Sequence, residues 1–410
     1  MSANPQEGFP VDRIQAMSPE AVFEALIRQA VRVSASDLFV LSDEESVRLS
    51  LRWLGAMHVL AHVSREQGRH ILNHIKAEAG MDIAERRRPL SGRNLYQVDE
   101  SKLDLRLNCV PTLYGEDLSI RMLDRKVGLL KLEHLGLSRT EQSRLSALLS
   151  SPSGLILVTG PTGTGKTTTL YACVQYLNNG ERKINTLEDP IEYGVRGVRQ
   201  SQVQPTLGVD FPELLRNVLR QSPDVIMIGE IRDQETATTA VRAANSGHLV
   251  LATLHAPVAA HAVQNMLALG AHPYFLSNCL LGVIAQRLVR VLNPETRVAY
   301  DITDSPATFA DIAHLLAPGG GKCMYGPGGK NSANLPDYVA RTGLFEVLMV
   351  NREVRRLIAA GSTAELIEQQ AIADGMLEFR RAALLQVAQG VTSIEEMMRV
   401  VPSVYLGAED

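Results

Sequence analysis

The chain has 410 residues, of which 45% are hydrophobic and 21% are charged, and its 41 Lys and Arg against 45 Asp and Glu give a net charge of −4. At roughly 150 residues per domain this length predicts two or three domains, and the composition excludes wholesale disorder. The charge balance excludes the overall basic signature of many nucleic-acid-binding proteins, although a local basic patch remains open. The four cysteines form no CxxC pair, which favours a reducing compartment.

The first 125 residues are predicted to form a tail, a helix and a small α+β domain. Residues 1–17 are predicted to be a loose tail, and Ser18 and Pro19 provide the N-cap and the first position of a helix that completes residues 1–35. In residues 36–125, alternating apolar positions predict strands before and after a second helix. That helix begins with a capping box at residues 64–67, and Gly80 can end it.

Beyond a predicted linker at residues 126–136, the apolar pattern changes from alternating to continuous. Continuous runs of this kind predict strands buried on both faces of a parallel sheet, so residues 137–300 are predicted to be an α/β domain. Residues 301–342 are predicted to be an insert or loop that is glycine-rich over residues 317–335, and residues 343–410 a helical C-terminal domain. The continuous apolar runs are residues 155–158, 225–228 and 249–252.

One long stretch lacks charged residues, but its pattern is not that of a membrane span. Residues 243–286 contain no Asp, Glu, Lys or Arg, yet Asn, His, Gln and Pro interrupt every window of about 20 residues, the length that a spanning helix needs. The stretch is therefore predicted to be a buried core. The N-terminus has no basic segment followed by an apolar one, so a secretory signal is not expected and the chain is predicted to be cytoplasmic.

The strongest chemical motif follows the first apolar run directly. It has the pattern G-x-x-x-x-G-K-[ST] and lies between a predicted strand and a predicted helix. Backbone N–H groups of such a loop point at phosphate oxygens, its Lys reaches the β- and γ-phosphates, and its Thr holds Mg²⁺. The predicted nucleotide-binding residues are Gly160, Pro161, Thr162, Gly163, Thr164, Gly165, Lys166, Thr167 and Thr168.

Hydrolysis requires carboxylates near the bound nucleotide, and two occur at predicted strand ends. Glu230 follows the run at 225–228, with Gly229 at the position where an Asp is usual, and Glu188 follows a predicted strand at 183–187. The ends of strands in one parallel sheet meet at the edge where ligands bind. The alternatives are an ion pair with Arg232 for Glu230 and a helix or loop cap for Glu188.

A histidine and a set of arginines complete the candidate residues. His255 comes at the end of the predicted strand that contains the third apolar run, and it is predicted either to contact the γ-phosphate or to be an ordinary buried histidine. Arginines of one domain that reach phosphates held by another neutralise transition-state charge, whereas most arginine-rich loops are merely solvated. An RNA-binding patch has little support because no aromatic stacking set accompanies these arginines. In the N-terminal domain they are Arg86, Arg87, Arg88, Arg93, Arg106 and Arg121.

Together these segments resemble the secretion-ATPase superfamily, in particular the motors of type II secretion and type IV pilus assembly. The resemblance covers about residues 34–400. Its blocks follow one another in the order that is typical of the family. They are N-terminal segments at 80–89 and 118–124, the phosphate loop, an Asp box at 186–193, a Walker B segment at 219–233, a His box at 247–255 and the sequence QRLVR at 286–290.

The resemblance implies an α/β protein with a RecA-like P-loop ATPase core, a small PAS-like N-terminal α+β domain and a helical C-terminal region. It implies that Glu188 activates or positions the attacking water, that Glu230 and Thr167 arrange Mg²⁺, and that His255 reports the γ-phosphate. It further implies a homohexamer that hydrolyses ATP, attaches peripherally to the inner membrane and acts on a membrane platform protein, without nucleic acid. The candidate nucleotide-contacting arginines become Arg93, Arg106 and Arg121.

The sequence departs from the family at one site. Many assembly motors carry four zinc-binding cysteines, but here Asn293, Thr296 and Gly326 occupy three of those positions and only Cys323 remains. One thiol cannot complete a tetrahedral structural site, so no zinc site is predicted. The predicted function is ATP-driven assembly of a pilus or pseudopilus. The alternatives are a retraction motor of the same superfamily, a DNA-translocating ATPase and a nucleotide-gated scaffold that does not hydrolyse ATP.

Overall fold

The computed structural model describes residues 4–99, 101–124, 129–329 and 335–406, so that residues 126–128 of the predicted linker lie outside the described residues. The chain divides into two compact units. The N-terminal unit contains the chain up to residue 128 together with 293–296 and 328–340. The second unit contains residues 129–292, 297–327 and 341–410.

The N-terminal unit is a six-stranded antiparallel sheet with two helices packed on one face. Its elements are α1 (Pro19–Val33), β1 (Asp37–Ser42), β2 (Ser46–Trp53), β3 (Ala56–Ser64), α2 (Arg65–Glu78), β4 (Leu90–Val98), β5 (Ser101–Thr112) and β6 (Gly115–Asp124). The strand order is β3-β2-β1-β6-β5-β4. Alternate strand residues such as Leu105 and Leu107 are buried with Phe23 of α1 and Ile71 of α2. The alternation in the sequence therefore marks the face that the helices cover.

The N-terminal segment from residue 4 is ordered, so the prediction of a loose tail is wrong for residues 4–17, while residues 1–3 lie outside the described residues. Val11–Ala16 form a 3-10 helix, and Phe9 and Ile14 are buried in the core of the N-terminal unit. The Gln29 side chain donates hydrogen bonds to the carbonyl oxygens of Pro5 and Glu7. The buried Phe9 and Ile14 follow no helical or strand periodicity, so the sequence pattern carries almost no signal for this segment.

The predicted starts of α1 and α2 are confirmed, with one difference in the capping. Ser18 Oγ accepts the N–H of Ala21, as expected for an N-cap. Ser64 Oγ accepts the N–H of Gln67, but the Gln67 side chain donates to the carbonyl oxygen of Ile14 instead of returning to the N-cap. Only half of the predicted capping box forms, because the N-terminal segment offers a competing acceptor.

The second unit is built on a seven-stranded sheet, and its long central strands pair in parallel. Its order is β15-β12-β7-β11-β10-β8-β9, with parallel pairing from β12 to β9. The strands are β7 (Gly154–Thr159), β8 (Ile184–Glu188), β9 (Arg199–Gln202), β10 (Val225–Ile228), β11 (Leu249–Leu254), β12 (Leu280–Leu292) and β15 (Tyr338–Met349), with β13 (Val298–Asp301) and β14 (Cys323–Gly326) as a separate pair. Every residue of β7, β10 and β11 is buried, which confirms the prediction from the three apolar runs.

Ten α-helices of the described residues accompany this sheet. They are α3 (Arg139–Leu149), α4 (Lys166–Leu177), α5 (Phe211–Val218), α6 (Gln234–Asn245), α7 (Ala259–Ala268), α8 (Pro273–Cys279), α9 (Arg352–Ala359), α10 (Ala364–Ala373), α11 (Phe379–Ala388) and α12 (Ile394–Val400), of which α3 precedes β7 and the other nine follow it. The helical pattern predicted beyond Gly343 is wrong up to Met349, because these residues complete β15. Six consecutive buried residues there form a short apolar run, which periodicity alone cannot assign to strand or helix.

The uncharged stretch at 243–286 lies in the core, as predicted. It includes β11, α7 and α8, and Val250, Val263, Leu276 and Ile284 within it are fully or almost fully buried. Among the residues that the structure describes, no helix combines the length and the apolar character needed to cross a membrane.

Candidate active site

The predicted phosphate loop joins β7 to α4, and its conformation depends on glycine. Gly160, Gly163 and Gly165 all have positive φ, and a Cβ atom on Gly160 would lie 2.5 Å from the carbonyl oxygen of Gln286. α4 begins at Lys166, and its N-cap Gly165 provides no side chain for the first-turn N–H groups. Those N–H groups and the positive end of the helix dipole suit a phosphate at this position.

Gln286 of β12 forms hydrogen bonds that hold the phosphate loop in place. Its side chain is buried, its Nε2 donates to the carbonyl oxygen of Thr164 at 2.6 Å, and its Oε1 accepts from Thr169 Oγ1 at 2.7 Å. One amide therefore fixes both the loop and the first turn of α4 against the sheet. The sequence placed Gln286 only in a block of the family pattern and suggested no role for it.

Lys166 is held at the loop by backbone carbonyl groups. Its Nζ donates to the carbonyl oxygens of Gly160 at 2.6 Å and Pro161 at 3.0 Å, and it lies 3.4 Å from His255 Nδ1. Burial lowers the pKa of Lys166 to about 8, and the nearby Glu230 carboxylate acts in the opposite direction. An ammonium that has lost part of its hydration and is bonded to weak acceptors is suited to bind phosphate oxygens.

Nucleotide affinity is expected to fall as the pH rises above the Lys166 pKa of about 8. A bound phosphate raises the pKa of this lysine, so above the free-state pKa binding must take up a proton, whereas below it the lysine is already charged. Affinity should weaken by up to about ten-fold per pH unit above that value. Calorimetric titration with ADP across this range measures the effect. A Lys166→Arg variant that still binds ADP should lose this dependence of affinity on pH. If the ADP affinity of the unaltered protein did not change with pH above 8, the prediction would be contradicted.

The strand order places His255 between the phosphate loop and Glu230, because β11 lies between β7 and β10. Thr159, the last residue of β7, accepts the N–H of Ala256 at 2.7 Å, and Asn265 donates to the carbonyl oxygen of His255 at 2.6 Å. The His255 side chain is 53% exposed, and its Nε2 lies 3.8 Å from Glu230 Oε2. His255 is therefore not the ordinary buried histidine that the sequence left open.

Glu230 lies at the same edge of the sheet, and the preceding Gly229 makes this position possible. The N–H of Gly229 donates to the carbonyl oxygen of Leu187 at 2.7 Å, and a Cβ atom on Gly229 would lie 3.1 Å from that oxygen. Glycine thus lets the ends of β8 and β10 approach closely. Glu230 forms an ion pair with Arg232 while remaining close to His255, so the alternative that the sequence offered is present without removing Glu230 from the site.

Glu188 ends β8, but its carboxylate is buried and only 3% of the residue is exposed. Its Oε2 accepts from the Tyr171 hydroxyl of α4, and its Oε1 accepts from Thr186 Oγ1 at 2.6 Å and Gln200 Nε2 at 3.0 Å. These donors are side chains, so Glu188 is not a helix cap. Its catalytic role stays a prediction. Sequence reasoning missed the three donors because they come from α4, β8 and β9.

The three candidate arginines of the N-terminal unit lie in one row across its sheet. Arg93 is opposite Arg106 in β4 and β5, and Arg106 is opposite Arg121 in β5 and β6. Asp104 binds Arg93 at 2.6 and 2.7 Å, and Asp37 lies 3.4 Å from Arg121. Like charges directly opposite each other destabilise a sheet, so an anion bound at this row would relieve repulsion. The other three arginines singled out in the sequence do not belong to this row but lie exposed between α2 and β4: Arg86, Arg87 and Arg88.

The predicted Mg²⁺ position and the degenerate cysteine positions, where no zinc is predicted, have different surroundings. Thr167 follows Lys166 in α4, and its hydroxyl with the Glu230 carboxylate provides the oxygen ligands that Mg²⁺ prefers. At the degenerate cysteine positions, the side chains of Asn293 and Thr296 both donate to the carbonyl oxygen of Pro336, at 2.9 and 3.4 Å. Within the described parts of the chain, no three His, Cys, Asp or Glu side chains are grouped to hold a metal ion. The lack of zinc stays a prediction.

A glycine-rich loop at the end of β7, with a carboxylate and a histidine at the neighbouring strand ends, defines a P-loop ATPase core in a parallel sheet. The chain belongs to the Type II/IV secretion system protein family, whose profile matches residues 15–399. Membership of this family confirms the resemblance predicted from the sequence blocks, and the chain is an ATPase of the secretion superfamily.

Curated relatives support the same assignment. The chain is 40% identical over 379 residues to Type II secretion system protein E of Dickeya dadantii strain 3937, which covers 92% of this chain and 75% of the relative. It is 38% identical over 379 residues to Type II secretion system ATPase E of Vibrio cholerae serotype O1, covering 92% of this chain and 74% of the relative. These names favour a motor of secretion or pilus assembly.

Two solved structures share the fold. The ATPase DotB of Legionella pneumophila superposes with a TM-score of 0.69 and 18% identity, covering 93% of this chain and 95% of DotB. The pilus retraction motor PilT with bound ADP superposes with a TM-score of 0.60 and 24% identity, covering 92% of this chain and 96% of PilT. At these identities the likeness establishes the α/β fold of the P-loop core, as predicted, and not a function.

Proposed function

We propose that the chain works as a homohexameric motor that hydrolyses ATP with Mg²⁺ to drive assembly of a pilus or pseudopilus. The system is a type II secretion or type IV pilus-like apparatus. The motor is cytoplasmic, attaches peripherally to the inner membrane and acts on a platform protein there, without nucleic acid or structural zinc. The observation that carries the proposal is the meeting of Lys166, His255 and Glu230 at one edge of the parallel sheet.

In the proposed mechanism, the phosphate loop binds the nucleotide phosphates, and residues at the ends of the neighbouring strands take part in hydrolysis. The N–H groups at the start of α4 and the Lys166 ammonium hold the phosphates, and His255, between Lys166 and Glu230, contacts the γ-phosphate. Glu230 orients the attacking water, while Arg232 holds the carboxylate in place. Mg²⁺, when bound through Thr167 and Glu230, supplies positive charge to the β- and γ-phosphates.

The remaining predicted residues complete the proposal. Glu188 positions or activates the water, and its hydrogen bond from Tyr171 links it to the same helix that begins at the phosphate loop. The arginine row (Arg93, Arg106 and Arg121) stabilises transition-state charge on a nucleotide bound by another subunit. The planar guanidinium group of arginine can bind phosphate oxygens with two hydrogen bonds at once, which suits this role.

Magnesium-dependent phosphate release tests the proposed motor. The full-length protein with ATP and Mg²⁺ is expected to release phosphate steadily, and excess EDTA should lower the rate by about 100-fold, because the uncompensated phosphate charge raises the barrier. Adding Mg²⁺ back should restore the rate. Lys166→Ala serves as a control that removes the phosphate contact. A protein that binds ATP with Mg²⁺ but never releases phosphate would be the nucleotide-gated scaffold instead.

A further inference from the structure

Three α-helices of the described chain begin without a side-chain cap of their own. Nine of the α-helices start at a residue whose side chain accepts a first-turn N–H. The exceptions are α4, where the phosphate loop provides Gly165, and α7 and α11, where Val258 and Glu378 are the N-cap residues. The first-turn N–H groups of α7 and α11 therefore need an acceptor from elsewhere.

A single buried carboxylate serves both helices. Glu346 of β15 is 1% exposed, its Oε2 accepts the N–H of Ala259 at 2.9 Å, and its Oε1 accepts the N–H of Phe379 at 3.0 Å. Ala259 and Phe379 are the first residues of α7 and α11. Burial raises the pKa of Glu346 to about 8, and the two N–H bonds act in the opposite direction. The two helix N-termini also favour the charged form, so they limit the rise in pKa that burial causes.

Arg287 of β12 bridges the same two elements by different contacts. Its Nη2 donates to the carbonyl oxygen of Pro257 at 3.0 Å, and its guanidinium carbon lies 5.5 Å from the centre of the Phe379 ring. Pro257 and Ala259 follow His255 by two and four residues. The turn after His255 is thus bound to the first residue of α11 through Glu346 and again through Arg287.

We propose that Glu346 is a positioning residue for ATP hydrolysis that couples the turn after His255 to α11, so that the C-terminal helices move with the nucleotide site. The inference rests on the proposed role of His255. If a nucleotide moved this turn alone, the Ala259 N–H bond would break and leave a buried carboxylate and a helix N–H without partners. That outcome costs more than moving the Glu346 side chain and α11 together with the turn, which keeps both hydrogen bonds.

Steady-state kinetics with a double-mutant cycle test the coupling. In Glu346→Gln an amide NH₂ group faces one of the two N–H donors, which shifts the turn after His255. We therefore expect kcat to fall about ten-fold while the KM for ATP stays nearly constant. Because Glu346 acts through His255, the same change should have almost no effect in a His255→Ala background. Additive effects of the two substitutions would overturn the proposal.

Glu396 provides a matched control. It is also fully buried and lies at the start of a C-terminal helix, but it binds Arg290 and Arg399 and has no hydrogen bond to the turn after His255. Any effect of Glu396→Gln on turnover should be the same with and without His255. If Glu346→Gln and Glu396→Gln behaved alike in the cycle, the role of Glu346 would be only structural.

A second measurement uses the unaltered full-length protein and does not depend on a variant folding. Adding adenylyl imidodiphosphate with Mg²⁺ should slow amide hydrogen exchange in residues 256–262 and in residues 377–383 together. Protection of the first segment alone would overturn the coupling. His255→Ala turning over ATP at the unaltered rate would instead overturn the proposed role of His255, while the exchange result still decides whether the two segments are coupled.

Discussion

Replacing Glu230 by Gln is expected to lower steady-state phosphate release by about 10²- to 10⁴-fold, the range usual for loss of a group that accepts a proton from or orients the attacking water. The substitution keeps the size of the side chain but removes the charge that faces His255 and Arg232. ATP binding should change little, because Lys166 and the N–H groups of α4 hold the phosphates. A coupled-enzyme phosphate assay and an ATP titration measure the two effects.

Glu235→Gln is the matched control for Glu230→Gln. Glu235 lies five residues further on, is largely exposed and forms an ion pair with Arg216 at the surface. Surface ion pairs contribute little, so this variant should hydrolyse ATP at nearly the unaltered rate. Equal rates for Glu230→Gln and the unaltered protein would remove Glu230 from the catalytic mechanism, and equal loss in both variants would indicate a general effect of the substitution.

The strands that position the candidate site could be predicted because each one is marked by a short stretch of consecutive residues in the sequence. The apolar runs of β7, β10 and β11 are continuous, and each ends at a chemically distinct residue or loop. Parallel strands bring such ends to one edge, so the proximity of Lys166, His255 and Glu230 follows from sequence order and the general rule for open sheets. The role of Gly229 could not be predicted in this way. A glycine is needed there because the backbone passes close to the carbonyl oxygen of Leu187, and Leu187 belongs to the neighbouring strand.

The contacts that fix these residues could not be predicted, because they join positions far apart in the chain. Gln286 binds Thr164 and Thr169 across more than a hundred residues, and Glu346 binds Ala259 from the edge of the sheet. A buried Glu in the otherwise apolar run of β15 gives no sign of its partners, and the sequence pattern predicts a helix for this run, not a strand. Periodicity identifies which face of an element is buried but not which side chain it meets.

Arg106→Ala is expected to lower ATP turnover by about 100-fold, a smaller loss than a lone arginine finger would give, since two arginines of the row remain. Arg106 is the central member, with Arg93 and Arg121 on either side. Arg48→Ala is the control, because Arg48 lies on β2 in the same sheet, outside the row, and pairs with Asp43. A loss of turnover as large in Arg48→Ala would show that the sheet, and not the row, is affected.

Mixing the Glu230→Gln and Arg106→Ala variants, which both turn over ATP slowly, decides whether the arginine row serves a neighbouring subunit. Glu230→Gln keeps the row, and Arg106→Ala keeps the carboxylate. If each site combines one subunit's phosphate loop with its neighbour's row, about a quarter of the sites in oligomers co-assembled from equal amounts have both parts intact. Phosphate release should then recover to about a quarter of the unaltered rate. If the row served the nucleotide of its own chain, no site in the mixture would be intact, so absence of recovery would contradict the shared site.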